Sequence, residues 1–579
     1  MKTGLWFLHI ITILLFGIIL ELNHTRWIGW FLFPAAAAMI LYLSAKSGGK
    51  GMKALLYFAG IAAYAAVLLF AWPKTEAIPA VREANPEVTG VIRLEHGDIT
   101  GVYNRDHSVE VYAGIPYAAP PVGDLRWKKP REEADWEGIR ACDRFAPMSM
   151  QETSLPIVDS LTQIIGYHDY RPFANHSTAP VSEDSLYLNV WKPAGEKKDL
   201  PVLVYIHGGS LQTGQPWYAD YSGESFAKKD VIVVNMGYRL GVFGFLAEEE
   251  LLREEGTTGN YGLLDQIKAL QWVQKNISAF GGDPHNVTLA GESAGAVCVD
   301  ALCVSPLAKG LFQKAILESS TVSSENPPHS FRGFEDALAS GKDLMERYGC
   351  NSLSDLRALP AEKIKSEMAS QHHITVDGTV LPDTPHHLRA GGIHNESAIL
   401  HGYNKEESGP FILFDQAKQN SYEEKVRAVF KEAADEVLLA YPAENDRKAR
   451  EQWALVYGAK YFNYSHYCLN RLAAAMNEPV YEYYFTKTNG RLSCWHSGEL
   501  VYAFGNIPEG SSLYRESDRA LSECMHAYWA RFALTGDPNG EGLPVFPQNT
   551  DSTKLLELGE EIAVIEEPYL KLYAILDRH

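Results

Sequence analysis

Three apolar runs, almost free of charge, fill the first 72 residues at positions 4–20, 27–43 and 54–72. Each run is close to the roughly 17–25 residues with which an α-helix crosses a bilayer core. A cleaved secretory signal is the alternative for the first run, because Lys2 precedes it, but it would leave two runs unexplained and no small-residue cleavage pattern closes the first. The pattern predicts about three transmembrane helices in residues 1–73.

Loop charges predict how these helices are oriented. Lys46, Lys50 and Lys53 cluster between the second and third runs with no acid among them, whereas Glu21 and Arg26 before the second run cancel. Because cytoplasmic loops of membrane proteins are enriched in Lys and Arg, the lysine cluster is expected inside the cell. The sequence thus predicts a multi-pass protein of the cell membrane, in contact with the lipid bilayer, whose remaining chain faces the exterior.

From about residue 88 the pattern changes to short apolar runs that alternate with longer amphipathic stretches. Runs rich in β-branched residues lie at 202–206, 231–235 and 287–290, and residues 261–280 place apolar side chains at helical spacing. Strands that alternate with helices are typical of a mainly parallel sheet covered by helices on both faces. The sequence therefore predicts an α/β fold for this part of the chain.

Composition and charge limit the classes of function that the chain can have. With 46% hydrophobic and 21% charged residues, the 579-residue chain is not disordered. Its net charge of −20 repels phosphate backbones, so a nucleic-acid partner is excluded from the prediction. Seven cysteines without a CxxC pair argue against a zinc module. Prolines and mixed charges at 74–87 predict a linker. The predicted organisation is an anchor over 1–73, the linker over 74–87 and one domain over 88–579.

The strongest chemical signal is the motif Gly-Glu-Ser-Ala-Gly at 291–295, which follows the predicted strand 287–290 and precedes a helix-like run at 296–304. A serine between two glycines at a strand-to-helix turn is typical of a nucleophile elbow, which holds the hydroxyl exposed. The alternative is a tight turn without chemistry. We expect Ser293 to be a nucleophile.

A second glycine motif supports this expectation. His207-Gly208-Gly209-Ser210 follows the predicted strand 202–206, where an oxyanion loop would lie. Without a Cβ, the backbone N–H groups of Gly208 and Gly209 can approach a substrate closely, and with the N–H of Ala294 they could bind a developing oxyanion. An ordinary glycine turn is the alternative.

Several long motifs, in order, make the chain from about residue 88 to its end resemble the type-B carboxylesterases, the cholinesterase-like branch of the α/β-hydrolase fold. The motifs are Gly-Ile-Pro-Tyr-Ala at 114–118, Glu-Asp-Ser-Leu-Tyr-Leu-Asn-Val at 183–190, Tyr-Arg-Leu-Gly at 238–241, Asn-Tyr-Gly-Leu-Leu-Asp-Gln at 260–266, Phe-Gly-Gly-Asp-Pro at 280–284, Tyr-Trp at 528–529 and Gly-Asp-Pro-Asn at 536–539. The resemblance implies a small-molecule ester substrate, an acyl-enzyme intermediate and no metal or organic cofactor.

The resemblance also implies the remaining members of a catalytic triad. The family acid lies in a G-x-N-x-x-E pattern, which Glu407 matches, while neighbouring Glu406 is one position out of register. The family histidine lies in an H-x-x-E-L segment, which His496 matches. The resemblance further implies that Ser319 supports the acid, although serine follows it where the family has glycine. Glu292, next to the nucleophile, is expected to point away from it as a structural carboxylate.

The sequence departs from the family pattern in two places, and its histidine pairs need a separate interpretation. The family commonly pairs a cysteine at the position of Ser185 with one near 149–151, and neither is present here. Cholinesterases carry a tryptophan in the stretch corresponding to 149–183, which here offers only other aromatic residues, among them Tyr167, Tyr170 and Phe173. A choline ester is therefore not favoured over a neutral ester. The adjacent histidine pairs lack metal-ligand spacing and are interpreted as loop residues: His372, His373, His386 and His387.

A function of another class stays open at this stage. Some relatives of the family are adhesion proteins without catalysis, and they typically lack the nucleophile. The presence of Ser293, Glu407 and His496 together favours the enzyme, a carboxylic ester hydrolase.

Overall fold

The computed structural model describes residues 2–74, 78–81, 86–153, 155–167, 179–488, 493–550 and 553–579. The chain separates into two units. One contains Met1–Ala77 and Thr153–Pro180, and the other contains Ile78–Glu152 and Val181–His579.

The first unit consists mainly of three long helices, α1 (Lys2–Leu22), α2 (Trp27–Lys46) and α3 (Lys50–Phe70). The three predicted apolar runs form these helices. The helices pack through a small aromatic cluster, in which the ring of Tyr64 lies 5.1 Å from that of Phe33 and is almost fully buried.

Most of the apolar side chains of these helices point outward. Phe31, Phe58 and Leu69 are 69%, 66% and 71% exposed. By length and composition, two helices among the described residues are able to cross a membrane, Trp27–Lys46 and Lys50–Phe70, while the apolar part of the first helix is shorter, at Trp6–Leu22. A buried core helix or a signal sequence can have the same length and composition.

A fourth helix, α4 (Pro156–Tyr167), belongs to the same unit although it is distant in sequence. Its Ser160 hydroxyl donates to the carbonyl of Leu22 at the end of α1 (2.7 Å) and lies 3.1 Å from His24 Nε2. Ser160 is buried by these contacts. The hydroxyl thereby satisfies one of the carbonyls that the end of a helix leaves without an intrahelical partner.

The second unit is built on a sheet of eleven strands. In chain order we number them β1 (Val102–Tyr103), β2 (Val109–Pro116), β3 (Tyr187–Pro193), β4 (Leu200–Ile206), β5 (Ile232–Met236), β6 (Gly282–Glu292), β7 (Lys314–Glu318), β8 (Ile399–Asn404), β9 (Val480–Phe485), β10 (Lys554–Leu558) and β11 (Ile562–Glu566). Their order across the sheet is β11-β10-β9-β8-β7-β6-β4-β5-β3-β2-β1.

The seven strands from β10 to β5 in this order are parallel, and the outer strands at both ends are antiparallel. Every residue of β4, β5, β7, β8 and β9 is buried, because helices cover both faces of a parallel sheet. The sequence-based prediction of a mainly parallel α/β fold is confirmed, and the predicted strands correspond to β4, β5 and β6.

The longer helices of this unit are α5 (Tyr261–Asn276), α6 (Ala294–Val304), α7 (Phe334–Tyr348), α8 (Gln419–Phe430), α9 (Asp446–Gly458), α10 (Tyr464–Ala475) and α11 (Glu516–Thr535). Shorter helices are Glu224–Ala227, Gly241–Phe245, Glu249–Glu255, Leu353–Arg357, Ala361–Ile364, Pro385–Ala390, Ala434–Ala440, Leu500–Ala503 and Leu570–Leu576. The predicted helix at 261–280 ends as an α-helix at Asn276 and continues as a 3₁₀ turn over Ile277–Phe280. The predicted helix after the serine motif is α6, whose residues are all buried.

Small sheets complete the fold. Ile92–Arg93, Asp98–Thr100 and Ile139–Ala141 form one, Phe331–Arg332 pairs with Ile374–Thr375, and Met148–Ser149 pairs with Val181–Ser182. Next to the last pair, the hydroxyl of Ser149 donates to that of Ser185 at 2.9 Å. A hydrogen bond therefore joins the two segments that a disulfide commonly joins in the family that this chain resembles. All seven cysteines are free thiols.

Candidate active site

The serine motif forms a sharp turn between β6 and α6. Ser293 has φ 55° and ψ −126°, a backbone conformation that a residue with a side chain rarely adopts. Its N–H donates to the carbonyl of Glu318 on the neighbouring strand (2.8 Å), which fixes the turn. A Cβ on Gly291 would lie 2.5 Å from the carbonyl carbon of Gly295, so the first glycine permits the close return of the chain. The turn holds the Ser293 side chain at the carboxyl end of β6.

Two side chains from other loops meet at this serine. His496 Nε2 lies 2.7 Å from Ser293 Oγ, and His496 Nδ1 lies 2.5 Å from Glu407 Oε2. With the proton on Nδ1, the imidazole donates to Glu407 and accepts from the serine hydroxyl. The structure thus brings together the three residues that the sequence predicts as a triad.

The acid is held in place by the end of β8. Glu407 is 1% exposed, and its second carboxylate oxygen accepts a hydrogen bond from the backbone N–H of Asn404 (2.7 Å). The competing Glu406 is part of an isolated β-bridge with Trp495 and is more exposed than Glu407. Of the two neighbouring carboxylates, Glu407 is the one that contacts the histidine.

Neighbouring charges determine the basicity of the histidine. Burial lowers the pKa of His496, but the carboxylates of Glu407 and Glu292 offset this effect and raise the pKa to about 9. A proton that arrives at Nε2 is therefore stabilised by two anionic groups.

The predicted oxyanion loop lies beside the serine. A Cβ on Gly208 would lie 3.0 Å from the Cβ of Ser293, and Gly209 has a φ of 109°. Ala294 is the first residue of α6. Within the described part of the chain, no group accepts a hydrogen bond from the backbone N–H of Gly208, Gly209 or Ala294. Helix N-termini and such N–H groups favour a negative charge.

The expectation that Glu292 points away from the site is wrong. Its Oε1 lies 3.4 Å from His496 Nε2 and accepts a hydrogen bond from Ser497 Oγ (2.6 Å). Successive side chains of a strand point to opposite faces, but the positive φ of Ser293 ends this alternation. Both Glu292 and Ser293 therefore reach the same histidine.

The expected role of Ser319 is also corrected. The hydroxyl of Ser319 donates to Glu499 Oε1 (2.7 Å) rather than to Glu407. The amide of Asn404 donates to the other oxygen of Glu499, and the N–H of the same residue donates to Glu407. Burial, together with the charges of Glu292 and Glu407, raises the pKa of Glu499 to about 8. Among the described residues, Ser319 is thus linked to Glu407 indirectly, through Glu499 and Asn404.

Aromatic rings that the sequence did not single out line one side of the site. The ring centres of Phe462 and Phe411 lie 4.9 Å and 5.1 Å from that of His496. His329 packs against Phe462 at 5.6 Å and its Nε2 donates to the carbonyl of Tyr461 (2.7 Å). These residues come from three separate segments, so no local motif could have identified them.

The remaining candidates lie elsewhere or cannot be described. His372 and His373 lie in a loop as expected, with ring centres 4.2 Å apart, but His386 and His387 lie on the helix Pro385–Ala390, not in a loop. Tyr170 and Phe173 lie outside the described residues, as does the side chain of Tyr167, at the end of α4.

The chain is similar to proteins of known family along most of its length. The carboxylesterase family profile matches residues 88–573. Fumonisin B1 esterase of Sphingopyxis macrogoltabida is 32% identical over 506 residues, which cover 84% of this chain and 89% of that protein. The medium-chain fatty acyl-CoA hydrolase precursor of Anas platyrhynchos is 32% identical over 520 residues, covering 82% of this chain and 88% of that protein.

A solved structure is similar as well. The crystal structure of carboxylesterase EST55 from Geobacillus stearothermophilus at pH 6.2 superposes with a TM-score of 0.71 and 31% identity, and the match covers 84% of this chain and all of that one. The fold of the second unit is accordingly an α/β-hydrolase fold. The chain belongs to the carboxylesterase family and is a carboxylic ester hydrolase. The family and the relatives favour the enzyme over the adhesion class.

Proposed function

We propose that Ser293 is the nucleophile of an ester hydrolase, with His496 as general base and Glu407 as the acid that orients it. The observation that carries this proposal is the continuous relay from Ser293 Oγ to His496 Nε2 (2.7 Å) and from His496 Nδ1 to Glu407 (2.5 Å). As Ser293 attacks the ester carbonyl, His496 takes its proton, and Glu407 stabilises the imidazolium that forms.

The tetrahedral intermediate needs donors for its negative oxygen. The N–H groups of Gly208, Gly209 and Ala294 are proposed for this role, because they lie beside Ser293 and have no acceptor among the described residues. Removal of one such donor typically lowers kcat by about 10²–10³-fold. The proton on His496 then passes to the leaving alcohol, and an acyl group remains on Ser293.

Deacylation repeats the same steps with water. His496 takes a proton from the water, which attacks the acyl carbonyl, and the proton returns to Ser293 Oγ as the carboxylic acid leaves. Glu292, 3.4 Å from His496 Nε2, adds a second negative charge that favours the imidazolium of both steps.

The substrate class proposed is neutral carboxylic esters with small or medium acyl groups. Phe411 and Phe462 place apolar rings next to His496, where one side of a bound ester would pack. The buried carboxylates of Glu292 and Glu407, which contact the histidine, disfavour an anionic group close to the reacting carbonyl. One relative is named as an esterase of fumonisin B1 and another as a hydrolase of medium-chain fatty acyl-CoA. These names support the hydrolysis of esters or thioesters, but they do not agree on a single substrate.

Membrane anchoring of the enzyme is proposed from the first unit. Helices α1, α2 and α3 have 21, 20 and 21 residues, enough for a bilayer core, and expose apolar side chains on their outer surfaces. The proposed organisation is an anchor over 1–73, a linker over 74–87 and the hydrolase domain over 88–579. The lysines between α2 and α3 favour a cytoplasmic loop, and we therefore propose that the domain lies on the exterior face.

A hydrolysis assay tests the proposed activity. The full chain, purified in detergent, is offered a panel of aryl and alkyl esters, with Ser293→Ala as the matched inactive variant. Wild type is expected to hydrolyse uncharged short- and medium-chain esters, and the variant to lose on the order of 10⁶ in kcat. A variant that retains more than a few percent of wild-type turnover would remove Ser293 from the mechanism.

A further inference from the structure

A buried cluster of charges in the second unit lies away from the triad. The guanidinium of Arg389 is fully buried and contacts two carboxylates, Asp300 Oδ1 at 3.0 Å and Glu396 Oε1 at 2.5 Å. A third carboxylate, Glu478, lies in the same cluster, and His394 Nδ1 is 3.8 Å from its Oε1. One fixed positive charge therefore faces three acidic groups.

The balance of charge around Arg389 differs from that around Arg239, another buried arginine. Arg239 is paired with a single carboxylate, Asp265, at 2.7 Å, so the two charges cancel. Around Arg389, three ionised carboxylates would leave two negative charges uncompensated. Burying unpaired charge costs several kcal/mol per ion, and native structures usually provide a partner.

Glu478 is the acidic residue of this cluster that accepts no hydrogen bond from the described chain, although His394 lies near it. Its side chain is 2% exposed, and neither carboxylate oxygen has a hydrogen bond. By contrast, Glu396 also accepts from the backbone N–H of Asn395 (3.1 Å), and Asp300 accepts from Ser323 Oγ (2.8 Å). A buried carboxylate without a hydrogen bond, next to a histidine, has the chemistry of a cation ligand.

We propose that His394, Glu396 and Glu478 bind a divalent transition-metal ion, with Zn²⁺ the best match to the ligand set. One ligand atom from each side chain lies within 4.8 Å of the others. Ligand atoms around one tetrahedral Zn²⁺ lie about 3.3 Å apart, so closure by at most about 1.5 Å completes the site. Ca²⁺ and Mg²⁺ prefer ligand sets made of oxygen atoms alone. The imidazole nitrogen of His394 therefore favours Zn²⁺ over these two ions.

The surroundings supply an entrance and a fourth ligand. The side chain of His394 is 31% exposed, so an ion can reach the cluster from solvent. The carbonyl oxygen of Glu396 lies 2.8 Å from His394 Nδ1. When the imidazole proton moves to Nε2, Nδ1 becomes a ligand and this carbonyl can join the same ion. A divalent charge would balance the two excess negative charges of the cluster.

The position of this charged cluster in the fold indicates a structural role for the ion. Glu396 precedes β8 and Glu478 precedes β9, whereas Glu407 follows the carboxyl end of β8. The ion would therefore join the amino ends of two neighbouring strands at the edge of the sheet opposite Ser293. It is a stabilising ion, and the reacting atoms do not contact it.

Metal counting with matched variants tests the site. The full chain in detergent is stripped with a chelator, dialysed against Zn²⁺ and analysed for bound metal. Wild type is expected to hold one more ion per chain than Glu478→Gln, and its unfolding temperature to rise with Zn²⁺. His394→Gln, at a partly exposed position, should also lose this ion and weaken Zn²⁺ binding at least tenfold, which keeps the test valid if Glu478→Gln does not fold.

The control is His387→Gln. His387 faces Asp383 at 3.2 Å on an exposed surface, a histidine–carboxylate pair outside the proposed site. This variant should bind as much Zn²⁺ as wild type. Equal zinc in wild type, Glu478→Gln and His394→Gln would overturn the proposal, because exposed histidines would then account for all bound metal. A Glu478→Gln variant that is more stable with unchanged zinc binding would also overturn it, since Glu478 would then be a neutral carboxylic acid.

Discussion

The carboxylate of Glu292 lies 3.4 Å from Nε2 of His496, the same nitrogen that faces the hydroxyl of Ser293. The residue directly before the proposed nucleophile thus contacts the proposed general base as well. With Glu407 on the opposite nitrogen, the imidazole lies between two buried carboxylates. This relationship affects the protonation of His496 and hence the pH at which the enzyme works.

Replacing Glu292 with glutamine should move the acid limb of the pH–rate profile to lower pH. His496 must be neutral at Nε2 to accept the serine proton, so activity is lost as the pH falls through its pKa. The carboxylates of Glu407 and Glu292 raise this pKa above 6.5, to about 9, which places the wild-type limb on the alkaline side of 6.5. Removing one carboxylate lowers the pKa. The measurement is kcat/KM as a function of pH. Glu406→Gln is the control, and its acid limb should lie at the same pH as that of the wild type.

The identity of the triad acid is tested by two neighbouring substitutions. Glu407→Gln should lower kcat by up to about 10⁴-fold, because an amide cannot stabilise the imidazolium and favours the wrong tautomer. Glu406→Gln should leave turnover close to that of wild type, since Glu406 does not contact His496. The measurement is the steady-state kcat of both variants on one aryl ester. If Glu406→Gln lost more activity than Glu407→Gln, the triad acid would be Glu406.

The topology is tested with protease on intact cells. The hydrolase domain should be digested, while the loop between α2 and α3 with Lys46, Lys50 and Lys53 stays intact until the cells are permeabilised. The physical reason is that the basic loop is retained on the cytoplasmic side. Digestion of the loop in intact cells, with protection of the domain, would reverse the orientation.

A choline ester should not be preferred over a neutral one. The sequence has no tryptophan at 149–183, and the described rings nearest to His496 are those of Phe411 and Phe462. The test compares kcat/KM for a short-chain thiocholine ester and a matched uncharged thioester. The ratio should stay below tenfold, or about 1.4 kcal/mol of transition-state binding. A larger ratio would indicate a cation–π site that this account lacks.

The sequence predicted the parts of the site that depend on contiguous residues. The nucleophile turn was predictable because strand, glycines and helix follow one another between Gly282 and Val304. The acid and the histidine were found only through family motifs, because spacing alone could not select them among 72 acidic residues and 19 histidines. Long-range pairing of β6, β7, β8 and β9 brings these loops together, and it is not encoded in any one segment.

Two of the wrong predictions, those for Ser319 and Glu292, concern side-chain directions. Ser319 has a φ of 60°, and this left-handed conformation after β7 turns its hydroxyl to Glu499. Glu292 reaches His496 because the equally unusual backbone of Ser293 ends the strand alternation. Phe462 lies beside His496 through a π-helical turn at Ala459–Asn463, which a regular helical pattern does not predict.

The central claim is that Ser293 carries the acyl group during turnover. The full-length enzyme is mixed with an excess of a p-nitrophenyl ester, quenched in acid during turnover, digested and mapped by mass spectrometry. One acyl group is expected on Ser293 of the wild type, and none in Ser293→Ala. An acyl group on a different residue, or equal acylation of wild type and Ser293→Ala, would contradict the account.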